Sequence, residues 1–456
     1  MRGAAQAANR AQPDALVLDG ATFTSLAIVR SLGSHGVRVA VGADTRWACA
    51  AASKHCRHLV RHAPLEQPDA VAQSLVDYAR RTRGVVIMTY GERSLRFLYQ
   101  WRQLLEEAGA RLAVPPEHAF YSANDKAETL RRAQRLGVPI PPSHFPESPD
   151  DVEAIAESIR YPAVVKPRRS VNDASHHFRA TPRVRYAQTA AELRVACSRV
   201  GFGVPPIVQE FVPGDGVAVS LLCEDGIPLM RFAHRRLRDV VPTGSGSALR
   251  ESITYPADLG AYAERLAADV AWTGPMMVEF RLDRRSGRTF LMEVNGRFWG
   301  SLQLAIDAGL DFPYAYYRMT CGQPVAAQSG YAVGIRSRWL IGDMLHVARV
   351  MQGRPAGFPG EYPTRRRTML DLLRPSGVPT REEVFRWSDP KPFLYELVKL
   401  AERVGQRVVQ RDSRTAPPAG ELHAPHLVSS SSAPAAGRDS GSPRTERPQR
   451  ESPPAA

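Results

Sequence analysis

Short apolar runs and helical stripes alternate along the first quarter of this chain. Residues 15–19, 37–41, 85–88 and 111–114 are apolar runs of strand length. Segments 23–33, 69–81 and 92–108 instead repeat their apolar positions every three or four residues, the period of an amphipathic helix. Strands alternating with helices predict a doubly wound parallel α/β domain over residues 14–115. Gly20 follows the first strand, but no G-x-G-x-x-G is present, which argues against a dinucleotide loop.

Beyond residue 115 the order changes. Helical stripes at 125–136, 151–160 and 189–200 are interleaved with strand-like runs at 161–167 and 207–212. Glu224-Asp225-Gly226 joins two further runs, 217–223 and 227–233, as a hairpin turn would. Runs 276–282 and 289–294 predict a second hairpin around Arg285-Ser286-Gly287, with Gly287 where a positive φ is needed. Segments 259–270 and 301–308 read as scaffold helices. Residues 321–410 read as an α-rich extension, with helices at 339–350 and 391–409 and a further turn starting at 381. Residues 1–13 read as a disordered terminus, and 411–456, rich in Pro, Ser, Ala and Arg without periodicity, as a disordered tail.

Composition narrows the class. Hydrophobic residues make up 43% and charged residues 23% of the 456, ordinary for a globular protein with several cores. The five cysteines (49, 56, 197, 223 and 321) are odd in number and scattered, without C-x-x-C, as expected of free thiols in a reducing cytoplasm. The first residues lack the apolar core of a secretory signal, and no run of about 18 apolar residues exists to span a membrane. A net charge of +14 raises nucleic acid as a partner, but the arginines are dispersed and no aromatic stacking pattern interleaves them. Residues 411–456 carry six Arg against five acids, so the excess positive charge belongs to the rest of the chain. Only five of the 60 basic residues are lysine (54, 126, 166, 391 and 399), so each lysine marks a position that specifically suits a compact ammonium.

The 276–301 stretch carries the densest candidate chemistry. Pairing Arg284 with Arg288 across the predicted loop sets Glu279 directly opposite Glu293 on one face. Carboxylates so placed call for a cation between them, and a hard divalent ion such as Mg2+ suits oxygen ligands. Asn295 shares that face and adds an amide oxygen, and Arg297 follows in a Gly-flanked segment. An exposed hairpin with its polar face in water is the competing reading. Lys126 sits in the first turn of the 125–136 helix, against the dipole, which points either to an anionic partner or to plain solvation. Lys166 lies in the apolar run 161–167 on the same face as Val164, where packing alone would not put it. Arg235 and Arg236, followed by a small-residue segment at 242–247 that includes Ser245, suit a carboxylate substrate under a flexible loop. They read equally well as a solvated strand and surface loop.

Four features in order resemble the ATP-grasp superfamily: Lys126 at a helix start, Lys166 in VVKP, QEFVPGD at 209–215, and Glu279, Glu293, Asn295 and Arg297 in VEF…EVNGR. That superfamily includes biotin carboxylase, D-alanine–D-alanine ligase and the carbamoyl phosphate synthetase large subunit, whose E-x-N-x-R wording is the most similar. The resemblance implies a pre-ATP-grasp α/β domain at 14–115 and a two-subdomain α+β ATP-grasp fold at 116–320. Lys126 and Lys166 match the lysines that contact the α- and β-phosphates of ATP. Gln209, Glu210, Phe211 and Val212 match the hinge strand along which adenine lies. Glu279, Glu293 and Asn295 match ligands of Mg2+, with Mn2+ as a substitute. Arg297 matches the arginine that neutralises the transferring phosphoryl group, and with Lys166 forms the implied catalytic set. Asp215 is the candidate acid for the ribose hydroxyls, although one common family spacing falls on Gly216. The family's Gly-rich phosphate lid has no counterpart, because residues 168–178 contain no glycine. Either Arg168, Arg169, Ser170 and the pair His176 and His177 replace its backbone amides, or the lid is weak.

The implied activity is that of a cytoplasmic ligase. It would use Mg-ATP to activate a small carboxylate as an acylphosphate for attack by an amine or similar nucleophile. The alternatives are a carbamoyl-phosphate-synthetase-like activation of bicarbonate and an ATP-binding module without turnover. Residues 321–410 are expected either to cap the ATP domain or to mediate a homo-oligomer, and neither a membrane nor a nucleic acid is an expected partner.

Overall fold

The computed structural model describes residues 15–169, 171–172, 179–180, 184–200, 205–373, 377–398 and 400–402. The segments expected to be disordered, 1–13 and 411–456, lie outside those residues, as do Ser170, His176 and His177.

The N-terminal runs form β1 (Ala15–Val17), β2 (Val39–Ala43), β3 (Cys56–Arg61), β4 (Val86–Met88) and β5 (Arg111–Leu112). They pair in parallel in the order β3-β2-β1-β4-β5. Alternation along β1 sends Ala15 and Val17 to helix Phe23–Ser34, and Leu16 to helices Pro68–Arg81 and Glu92–Gln100, so the sheet is covered on both faces as predicted. β3 was not legible because it is a half-exposed edge strand, Cys-Arg-His-Leu-Val-Arg, without an apolar run. The predicted 92–108 helix is interrupted at Trp101, giving Glu92–Gln100 and Arg102–Glu107.

A second sheet has the order β10-β7-β11-β6, built from β6 (Ser143–His144), β7 (Ala163–Pro167), β10 (Arg185–Ala187) and β11 (Pro206–Glu210). A small pair, β8 (Val171–Asn172) with β9 (Arg179–Ala180), stands apart from it. Ala163 and Val165 are buried against helices Pro149–Ser158 and Ala190–Val200. Val164 and Lys166 therefore face the other way.

The third sheet has seven strands, β16-β15-β12-β13-β14-β17-β18. They are β12 (Gly214–Glu224), β13 (Ile227–Val241), β14 (Ser245–Ser252), β15 (Gly274–Asp283), β16 (Thr289–Asn295), β17 (Arg336–Arg338) and β18 (Thr380–Glu382). Val219, Leu221, Met276, Val278 and Phe280 pack one face against helix Ala257–Asp269. Ala218, Leu222, Phe232 and Met277 on the other face join the core around helix Phe23–Ser34 and Trp299. Further along that same face Met277 gives way to Glu279 and Arg281.

Two expectations are corrected here. The flexible loop expected at 242–247 is a turn at Pro242, Thr243 and Gly244 only, and Ser245 already belongs to β14. β14 has few apolar residues yet is paired on both sides, by β13 and β17. The extension after residue 320 is not simply α-rich: β17 and β18 complete the seven-stranded sheet, and the turn expected at 381 is part of β18. Its Asp389 docks on the N-terminal domain, accepting from Arg30 Nε (2.9 Å), Ser53 Oγ (2.7 Å) and the Lys54 amide (2.9 Å). Among the described residues no helix is long and apolar enough to cross a membrane.

Candidate active site

Glu279 and Glu293 do face each other across β15 and β16, though not through the predicted turn. The turn holds four residues, Arg284 to Gly287. The Asp283 amide donates to the Arg288 carbonyl and the Gly287 amide to the Asp283 carbonyl, both at 2.9 Å, with Gly287 at φ 67°. Leu282 consequently pairs with Thr289 and Phe280 with Leu291. Met292 is then left without a partner, a bulge that restores the register so that Glu279 meets Glu293 and Met277 meets Asn295. The extra turn residue and the extra strand residue cancel.

Asn295 Nδ2 donates to one oxygen of each glutamate at 3.3 Å, and Arg297 Nη2 donates to Asn295 Oδ1 at 3.1 Å. Arg236, on β13, donates to the other oxygen of Glu279. The Arg297 guanidinium lies 5.3 Å from the centre of the Tyr90 ring, in the loop after β4. Asp19 pins that loop, accepting from Thr89 Oγ1, the Gly91 amide (2.8 Å) and Ser94 Oγ (2.5 Å).

From the opposite wall Lys126 reaches Glu293 and Lys166 the residue before it. Lys126 Nζ is 3.8 Å from Glu293 Oε2, and Lys166 Nζ is 3.5 Å from the Met292 carbonyl oxygen. Asp125 caps helix Lys126–Arg135, accepting from the Ala127 and Glu128 amides at 3.1 Å. The same carboxylate binds Arg168 Nε (2.6 and 2.8 Å) and Arg169 Nε (3.3 Å), while the Lys126 amide donates to the Arg168 carbonyl (3.0 Å). Asp125 thus ties the start of the Lys126 helix to the residues just past Lys166. Arg168 and Arg169 each commit Nε to Asp125 here.

These charges move one another. Burial beside Lys126 brings the Lys166 ammonium down to about 8, against the pull of Glu293. Burial lifts Glu279 above the usual carboxylate range despite Arg236. Burial also pushes Glu293 upward, but Lys126 and Lys166 outweigh it and hold that carboxyl below its usual value. In the next positions of the same cross-strand row stand Ala218 and then His234. His234 is buried with Nε2 3.0 Å from Ser301 Oγ, and burial beside Arg236 and Arg250 takes it down to about 3, so its imidazole is neutral. Two facing carboxylates, balanced by Lys126, Lys166 and Arg236, form an oxygen donor set that fits Mg2+ whose other ligands are phosphate oxygens and water. Asn295 turns its Nδ2 to them and its Oδ1 to Arg297, so its amide oxygen would join only once the side chain turns over. Among the described residues no cluster of three or more His, Cys, Asp or Glu offers a rival metal site.

The remaining expected residues divide. Gln209 is buried, its Nε2 donating to Ser143 Oγ (2.6 Å). The Glu210 amide donates to the Pro142 carbonyl (3.0 Å) and the Phe211 amide to the Pro162 carbonyl (2.9 Å). Among the described residues nothing accepts from the Val212 amide. Phe211 packs edge-on against Tyr186 and Phe358, with ring centres 6.0 and 6.2 Å away. Arg235 leaves the sheet on the side away from Glu279 and pairs with Glu251 (2.7 Å), which also takes Arg336 (2.9 Å). The Ser245 side chain lies outside the described residues. Asp215 starts from the face opposite Glu279, and both its oxygens accept from Arg284 (2.8 and 2.5 Å).

Sequence reasoning gave no role to Arg281, Tyr90 or Phe358, and took Asp239 only as the end of a substrate-facing run from His234. Arg281 was within reach, lying two residues from Glu279 on the same face with Nη1 3.4 Å from the Val212 carbonyl. The others come from separate elements. Phe211, Arg236, Asp239, Arg281 and Phe358 line one cavity of about 510 Å3 between the hinge and the C-terminal extension. Burial lifts the Asp239 carboxyl above its usual range, against Arg236 and Arg281.

A parallel α/β domain, then two sheets closing on a cleft with lysines on one wall and paired glutamates on the other, is the arrangement that the resemblance to the ATP-grasp superfamily implied. Residues 204–341 match the family model described as ATP-grasp in the biosynthetic pathway with Ter operon. The alpha subunit of mitochondrial methylcrotonoyl-CoA carboxylase from Glycine max is 26% identical over 239 residues, which are 49% of this chain and 31% of that protein. The chain therefore spans less than a third of the length of that relative. The biotin carboxylase domain of Hydrogenobacter thermophilus 2-oxoglutarate carboxylase, solved with Mg-ADP, ADP and bicarbonate, superposes with a TM-score of 0.55 at 16% identity, covering 70% of this chain and 72% of its own. The N5-carboxyaminoimidazole ribonucleotide synthetase of Thermus thermophilus gives 0.52 at 19% identity, covering 69% and 80%. At such identities the shared property is the fold.

Proposed function

We propose that the protein is an ATP-dependent ligase that activates a small carboxylate and joins it to an amine or similar nucleophile. The observation that carries this reading is the convergence of Lys126, Lys166, Arg236 and Arg297 on Glu279, Glu293 and Asn295. Lys126 and Lys166 hold the α- and β-phosphates, and the hinge from Gln209 to Val212 receives the base. Glu279, Glu293 and Asn295 hold Mg2+, or Mn2+ in its place, which neutralises phosphate charge when bound. Arg297 meets the phosphoryl group in transfer. A carboxylate oxygen attacks the γ-phosphorus and ADP leaves. The nucleophile then attacks the acyl carbon, and phosphate leaves as the amide-type bond forms. Catalysis is positioning and charge neutralisation, without a protein nucleophile.

The solved relatives include a domain crystallised with Mg-ADP and bicarbonate as a dimer and a synthetase, which supports nucleotide use and makes bicarbonate one acid to test. A homo-oligomer in the cytoplasm is part of the same reading, consistent with five free cysteines. A nucleotide-binding module without turnover is the second reading, favoured by the commitment of Arg168 and Arg169 to Asp125.

ADP formation from Mg-ATP, measured against panels of carboxylates including bicarbonate, with and without amines, decides between them. The ligase reading expects at least one acid to raise ADP release, and Glu293→Ala to abolish that release. Mg-ATP binding with no acid-dependent ADP in any combination would favour the binding module. Undiminished turnover by Glu293→Ala would remove the metal assignment.

A further inference from the structure

The cavity of about 510 Å3 begins at Phe211, next to the Val212 amide, and ends at Arg236, which binds Glu279. If the base lies at the hinge and the phosphates at Glu279, the span between belongs to the ribose, whose hydroxyls need acceptors. Four acids line the cavity: Asp215, Asp239, Glu361 and Asp371. Asp215 is held at both oxygens by Arg284, which also lies 3.3 Å from Glu361. Asp371 lies 3.8 Å from Arg367 of its own helix, Arg365–Leu373. Asp239 differs from all three in being the least exposed. Its Oδ1 is buried without a hydrogen-bond partner, with Arg236 Nη1 4.0 Å away, too far to donate.

The local chain explains its position. β13 slips register against β14 twice in succession, between Arg236 and Arg238 and between Arg238 and Asp239. Such irregularities re-aim side chains beside active sites. Arg238 is sent to Asp343 (2.9 Å), and Asp239 lines the same cavity as Arg236. His346 Nδ1 donates to the Asp239 carbonyl at 2.6 Å and anchors its backbone from helix Leu340–Gln352. Beside Arg236 the neighbouring strand β12 presents only Gly214, Gly216 and Ala218, and the one acid it brings to the cavity, Asp215, starts from the opposite face and is held by Arg284. A Cβ at Gly216 would stand 3.0 Å from Arg236 Cδ, so a side chain there would have to displace that arginine by a few tenths of an ångström.

We propose that Asp239, rather than an acid on the strand after the hinge, accepts the ribose hydroxyls of the bound nucleotide. The assignment rests on the ATP reading above. Its test is equilibrium binding of Mg-ATP, Mg-2′-deoxyATP and Mg-3′-deoxyATP to the full chain and to its Asp239→Ala, Asp239→Asn and Asp215→Ala variants. The unaltered protein should bind ATP about ten- to a hundredfold more tightly than at least one deoxy analogue, the loss expected for a hydrogen bond to a charged acceptor. Asp239→Ala should bind all three nucleotides alike, whatever its general affinity, because the ratio within one variant cancels any change in cavity charge. Asp239→Asn, which keeps one acceptor oxygen, should show an intermediate ratio, and Asp215→Ala the unaltered one. Equal binding of the three nucleotides by the unaltered protein overturns the proposal without any variant. So does retention of the full ratio by Asp239→Ala. Failure of the unaltered protein to bind Mg-ATP at all would overturn the ATP reading together with this one, whereas binding without discrimination removes Asp239 alone.

Discussion

Lys166 Nζ stands 3.5 Å from the carbonyl oxygen of Met292, the residue of β16 left without a partner on β15. The bulge that brings Glu293 opposite Glu279 therefore also sets a carbonyl against the buried ammonium of the facing sheet. The carbonyl compensates that ammonium only weakly, and its proton affinity is lowered.

That lowering has a pH signature. In the nucleotide-free protein Lys166 loses its proton as pH rises through about 8. A triphosphate favours the charged form, so the Kd for Mg-ATP should be flat near pH 7 and rise by up to about tenfold per pH unit above the transition. Calorimetric titration across this range checks it, and Lys166→Arg should abolish the break. The folded value lies below the 10.5 of a free lysine, so the unfolded chain binds more protons between them. Stability of the unliganded protein should then increase with pH over that window, opposite in direction to the binding effect.

Asp125→Ala removes a helix cap and leaves Arg168 without its carboxylate. The cap contributes about 1 kcal/mol, and the charged hydrogen bonds bring the total loss to about 2–4 kcal/mol. Because Asp125 holds the two lysine-bearing segments together, Mg-ATP affinity should also drop about tenfold. Chemical denaturation and nucleotide binding on one variant read both effects.

Gly287 and Met292 separate turn geometry from register. A Cβ at Gly287 meets nothing within 4 Å, but φ is 67°, so Gly287→Ala should cost about 1 kcal/mol and leave Mg-ATP binding unchanged. Deleting Met292 should close the bulge and leave Glu293 opposite Glu279, because Leu291 and Glu293 would then follow one another as Phe280 and Glu279 do. Mg2+-dependent nucleotide binding should therefore survive while the carbonyl beside Lys166 is lost. Circular dichroism of the deletion variant checks that it stays folded, and loss of Mg2+-dependent binding in a folded variant would count against this register.

Tyr90 supports Arg297 from the N-terminal domain. A partly buried cation–π contact is worth about 1 kcal/mol, so Tyr90→Leu should lower kcat about fivefold with little change in the KM for ATP. Tyr90→Phe keeps the ring and should be near normal in steady-state kinetics.

Much of the site was written in local periodicity. Alternation with period two placed Glu279, Glu293 and Asn295 on one face, and it survived an incorrect turn because the bulge at Met292 cancelled the error. Scarcity of lysine singled out Lys126 and Lys166, and both reach the cleft. Alternating strands and helical stripes specified the parallel N-terminal sheet. Edge strand β3 and the polar β14 carried no such signal, because what stabilises them is pairing with strands distant in sequence.

The sequence by itself thus determined which strand face carries the paired glutamates and which scarce lysines stand out, since strand and helix periods are properties of a few neighbouring residues. It could not separate Arg235, bound to Glu251, from Arg236, bound to Glu279, because the sequence does not say which face of β13 meets the cleft. Nor could it find Tyr90 or Phe358 as neighbours of the site, or give Asp239 a role in it. Their places depend on a pinned loop, two successive register slips and the docking of an extension, and only the packing of remote elements decides those.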